Sequence, residues 1–200
     1  MAKINNIIPP QNYEFVRDQV ADILNDEIGN QVLLTGDYDQ DAEVYVERNT
    51  PFNESELPAV NVSLDSGTWD NKHQGSVAGL YIINIDSVFN ANTTRTEAGD
   101  TTASLEAQRM AGKVRAILED PIYKTLGFVP PFISRTYCRE LKIGSPNVPD
   151  MKNTIVARVA LYVQVCETTP LKVPNLIESY VTTVRLGNSG RGYTYEGVNE

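Results

Sequence analysis

This chain is short of the residues that usually carry chemistry. It has one histidine, one tryptophan and two cysteines in 200 residues. A Ser-His-Asp or Cys-His arrangement would have to use His73, because no other imidazole exists. His73 stands in W-D-N-K-H-Q-G-S, a polar stretch between two apolar runs, where a solvated hairpin tip is the expected setting. A catalytic zinc site calls for more than one His or Cys at short spacing, and none is offered. Cys138 and Cys166 are far apart and form no CxxC. Two buried thiols in a reducing compartment are expected of them, with a bridge between neighbouring strands as the alternative. No apolar run exceeds strand length, so no transmembrane helix is predicted. The opening M-A-K-I-N-N-I-I-P-P lacks the apolar core of a signal peptide. Basic clusters are missing too. Against 26 Asp and Glu there are 17 Lys and Arg, giving a net charge of −9, and they are spread singly. Such a surface repels nucleic acid.

What is present describes an ordinary folded domain. Hydrophobic residues make up 41% and charged residues 22%, a globular rather than disordered balance, and 200 residues suffice for one core. The pattern predicts a helix over 11–28, with Val16, Val20, Ile23, Leu24 and Ile28 on one face, Asn12 as N-cap and Gly29 as stop. A short strand over 43–48 follows. After a loop bracketed by Pro51 and Pro58, A-V-N-V-S-L-D alternates with period two. Residues 77–89 read as a long strand with one wholly apolar face, as a sheet covered by helices on one side requires. A second helix is predicted over roughly 101–119, with Ala107, Met110, Ala111, Val114, Ile117 and Leu118 inward and Pro121 at its end. Strands return at 132–143 and 154–166, and a weaker one at 176–186. The order predicts an α+β fold: a mostly antiparallel or mixed sheet with two amphipathic helices packed on one face. Residues 1–10 read as an extended arm, 11–186 as a single domain, and 187–200 as a glycine-rich flexible tail.

Candidate sites are few. In T-G-D-Y-D-Q-D-A-E-V-Y-V-E-R, Asp37, Asp39 and Asp41 match the first ligands of a calcium loop. The bend position that needs glycine has Ala42, and the closing glutamate position has Arg48. An acidic turn feeding a strand is therefore expected, with no metal and no cofactor. Among 26 acids an acid–base pair stays open, but Asp86, Asp100 and Glu106 are no more distinctive than the rest. L-G-N-S-G-R-G-Y has the glycines of a phosphate loop but no helix after it. Trp69, flanked by polar residues and glycine, is a candidate contact residue. With no site, extended ends and long polar loops, the chain has the profile of an assembly subunit rather than an enzyme.

The run V-Y-V-E-R-N-T-P-F-N-E-S-E-L-P-A-V-N-V, residues 44–62, resembles a segment of the tail terminator proteins of tailed bacteriophages. The A-x-x-x-A-x-R-M-A-G-K-V-R-A-I-L helix and the element order over 11–170 are similar to theirs as well. The resemblance implies a homo-oligomeric ring, typically a hexamer, at the head-proximal end of the tail tube. Such a ring stops tube polymerisation and offers a surface to the neck or connector. It also implies partners in the tail tube protein and the neck protein, DNA passing through the lumen without being bound, no membrane, and assembly in the host cytoplasm into the virion. Another neck, joining or tail-completion component is the alternative. On this resemblance Glu47, Arg48, Phe52, Leu57 and Trp69, with the 90–100 loop and the tail, are the expected interface residues. Phe52 and Leu57 have an equally open reading as pins that hold the loop to the sheet.

Overall fold

A computed structural model describes residues 7–8, 10–73, 76–91, 98–129, 132–146, 153–168, 179–185 and 192–198. The first helix, α1 (Asn12–Thr35), buries every apolar residue of the predicted face and then runs past Gly29. A glycine inside a helix costs about 1 kcal/mol relative to alanine, less than burying one more aliphatic side chain returns. Val32, one turn beyond Ile28, is that side chain and is 3% exposed. The stop is Gly36, at φ 70°, whose N–H reaches the Val32 carbonyl at 2.8 Å. At the other end Gln11 rather than Asn12 takes the N-cap, and its backbone N–H donates to the Glu14 carboxylate at 2.5 Å.

The strands β1 (Glu43–Val46), β2 (Ala59–His73), β3 (Ser76–Asn90), β4 (Ile133–Gly144) and β5 (Thr154–Thr168) form one sheet in the order β1-β2-β3-β5-β4. β1 runs parallel to β2, and every other pairing is antiparallel. The second helix, α2 (Gly99–Glu119), ends at Asp120, immediately before Pro121. This is the predicted α+β architecture, with a mixed sheet and both helices on one face. β2 is longer than its alternation suggested. S-G-T-W-D-N-K-H has poor strand propensity, yet it continues along β3 beyond a bulge between Leu64 and Ser66, so cross-strand pairing overrides the local preference. The pairing of His73 with Ser76 places His73 at a hairpin end, as its context predicted.

Register sorts the sheet into two unlike faces. Val62, Ile85, Val159 and Leu141 lie in one row across β2, β3, β5 and β4. That face carries Ile83, Leu161 and Val163, all fully buried against Met110 and Val114 of α2 and Val20 and Leu24 of α1. The other face is polar. Asp86 and Arg158, directly opposite on β3 and β5, form a two-pronged ion pair at 2.6 and 2.7 Å, and Asn84 donates to Asp65 at 2.9 Å.

Contacts divide the chain after Thr168. The strand β6 (Ser179–Arg185), expected inside the main domain, belongs instead with β7 (Gly192–Val198), and the two pair antiparallel from Ser179↔Val198 to Arg185↔Gly192. The tail expected over 187–200 thus supplies a strand, for which alternating Tyr193 and Tyr195 are suited. Residues 1–6 and 9 of the expected N-terminal arm, 92–97 of the 90–100 loop, and 186–191 lie outside the described residues.

Candidate functional site

Four of the five expected interface residues belong to the segment that joins β1 to β2. β1 is only four residues long and must turn away at Val46. Glu47 makes that turn in the left-handed region at φ 52°, while its N–H still bonds the Val62 carbonyl at 2.9 Å. Its carboxylate replaces a lost strand neighbour, accepting the Leu64 N–H at 2.8 Å and Arg17 of α1 at 3.3 Å. Asn61 completes the substitution. Its side chain accepts the Arg48 N–H at 3.0 Å and donates to the Arg48 carbonyl at 3.1 Å, copying a backbone ladder.

Arg48 is the clasp of this loop. Its guanidinium lies 4.6 Å from the Phe52 ring centre and 5.0 Å from that of Tyr45, and these two rings meet edge-on at 5.2 Å. It pairs with Glu56 at 2.8 Å, with the side chains only 20% and 27% exposed. Glu56 also accepts the Asn53 N–H at 2.7 Å. That backbone bond, followed by Arg48, holds the Glu56 carboxyl below the usual carboxylate range. Leu57, before the cis peptide to Pro58, lines a hollow of about 530 Å³ with Tyr38, Phe89 and Glu106. So Glu47, Arg48 and Phe52 are drawn together with Tyr45 and Asn61, while Leu57 faces a different side of the loop.

Trp69 stands apart, on β2. Its indole lies over a floor made by Gly67 and Gly79: a Cβ added at Gly67 would meet the ring at 3.2 Å, and one at Gly79 would come within 2.9 Å of a Val165 methyl. Tyr81 and Tyr13 pack edge-on against it at 6.1 and 6.4 Å. The ring is held by its neighbours and still 51% exposed, which is the condition of a contact anchor.

The remaining candidates are occupied locally. Asp37–Asp41 winds through a single 3-10 turn, Tyr38–Gln40, with Asp39 and Asp41 exposed and Gln40 buried beneath, donating to Glu106 at 2.5 Å. Among the described residues no three His, Cys, Asp or Glu side chains gather as metal ligands would. Asp86 is locked to Arg158, and Asp100 accepts the Thr101 N–H at the start of α2. The two cysteines are not bridged. Cys138 is half-buried, and burial pushes its thiol up to about 12. Cys166 is exposed, which corrects the expectation of two buried thiols: it follows the last inward residue, Val165, and therefore points to the other face.

On β4 and β5 the sequence reading missed a further aromatic pair. Tyr137 and Tyr162 stack at 5.5 Å, with Arg135 4.9 Å from the first ring and Arg139 5.2 Å from the second. Alternation on β4 is broken by shifts at Ile133/Arg135 and Cys138/Glu140, so the pairing of these residues across strands was not readable from spacing. Scanned against models of known protein families the chain matches none, and it matches no curated protein.

Proposed function

We propose that this chain is a structural subunit of a tailed-bacteriophage virion, a tail terminator that forms a ring at the head-proximal end of the tail tube. In this role it stops tube growth and presents the surface to which the neck attaches. The observation that carries the proposal is the 44–62 segment, whose residues resemble the corresponding stretch of terminator proteins. That segment is also where the fold uses side chains to build one defined, exposed loop, with Arg48 clasped between Tyr45, Phe52 and Glu56. A loop braced in this way is prepared to meet a partner without first paying for its own ordering. The net charge of −9 supports the reading, since a duplex passing through a ring must slide rather than adhere. Function then resides in interfaces, with no reaction and no cofactor.

Deleting the gene and imaging the particles tests this. Tails longer than wild type, with no fixed length, are the expected result. Tails of normal length that fail to join heads would overturn the terminator role and assign the chain to the neck.

A further inference from the structure

The sheet ends in two edges: β4 on one side and, on the other, the short β1 followed by the part of β2 that continues after the register with β1 closes at Val62. Among the described residues no strand pairs with either. An unpaired edge of this length is normally blunted or covered, because its free N–H and C=O groups template another strand. Here the two edges are complementary on both faces. On the polar face β4 carries exposed Arg135, Arg139 and Lys142, against one carboxylate, Glu140, which Lys142 already holds at 2.7 Å. The opposite edge carries exposed Glu43, Asp65 and Asp70. On the helix face β4 leaves Leu141 54% and Ile143 46% exposed, while the opposite edge leaves Val46 41% and Trp69 51% exposed.

We infer that a second copy of this chain occupies each edge, with β4 of one copy lying antiparallel to residues 63–73 of β2 in the next. The pairings fix the sense. β4 runs opposite to β2, so a neighbour in the same orientation brings an antiparallel strand and keeps polar face with polar face and helix face with helix face. Basic then meets acidic, and at equal height along the strands Leu141 meets Val46, the two sharing the row of Val159, Ile85 and Val62. A two-fold contact of β4 on β4 would set arginine against arginine. The contact is therefore head-to-tail, the kind that makes a ring when the rotation between successive copies closes. The inference rests on the reading of the chain as a ring-forming subunit and says which surfaces close that ring.

The test is sedimentation of the full chain with two charge-reversal variants, one Arg135→Glu/Arg139→Glu and the other Glu43→Lys/Asp65→Lys, each checked for folding by circular dichroism. The first has two acidic edges and the second two basic ones. Each alone is expected to lose assembly, with association weakened at least ~10-fold, and an equimolar mixture is expected to recover it by alternating the two. Leu141→Glu, on the other face of β4, is expected to weaken wild-type assembly without touching these charges. Assembly that survives both reversals, or a mixture of folded variants that stays monomeric, would overturn this edge assignment and leave the ring reading standing. A monomeric wild type would overturn both. Rings that form through these edges yet do not cap a tail tube would keep the assignment and remove the terminator role.

Discussion

Glu56 shows how one carboxylate can set the shape of a loop. Its ionised form is favoured in the folded chain by the Asn53 N–H and by Arg48, so its folded pKa lies below its unfolded one. Stability from such a group is fully present above the unfolded carboxylate pKa, and is lost as pH falls through the lowered folded value. The difference in melting temperature between wild type and Glu56→Gln is therefore expected to be constant near neutral pH and to close in acid. A gap that does not change with pH would mean that Glu56 acts through packing alone. Gly79 is set by space rather than charge. Alanine there would press its methyl to 2.9 Å from Val165, a β-branched neighbour with little freedom to withdraw, and to 3.3 Å from the Thr68 carbonyl. Gly79→Ala is expected to cost about 1–3 kcal/mol in chemical denaturation. It should also tilt Trp69 off its floor, visible as a shift of the single tryptophan's fluorescence.

Elements differ in how plainly the sequence announces them. The inward stripe of α2 and the continuous apolar runs of β3 and β5 were legible because a 3.6-residue or two-residue period has to match the face it buries. The ends were less so. Gly29 looks like a helix stop in isolation, but Val32 beyond it is buried, and only the packed structure reveals that gain. An added Cβ at Gly29 meets nothing within 4 Å. Gly29→Ala is accordingly expected to stabilise the chain by about 0.5–1 kcal/mol, the opposite sign to Gly79→Ala. A loss of stability would show that the helix needs a glycine there. The second half of β2 and the bulges of β4, itself a predicted strand, were hidden for another reason. Their pairing comes from β3 and β5, and no local period encodes a partner's edge. Of the candidate site, Glu47, Arg48 and Phe52 could be singled out from a resemblance, but the neighbours that hold them, Tyr45 and Asn61, became apparent only through register. Asn61, the one polar residue in A-V-N-V, lies opposite Asp86 on the polar face and is itself buried beneath the Arg48 backbone that it bonds.

At the scale of the whole molecule the five-stranded sheet has one well-packed face and one charged face, and outer edges with which no other described strand pairs. Acidic overall, it still concentrates Arg135, Arg139 and Lys142 on a single edge strand, which averaging over 200 residues concealed. A net charge describes what the surface repels at a distance, whereas the distribution along edges governs how copies approach. Assembly is the claim on which the functional account stands, and native mass spectrometry of the purified full-length chain tests it most directly. The account predicts one closed oligomer of a single stoichiometry, in rings visible by negative stain. A chain that remains monomeric at every concentration examined would contradict it.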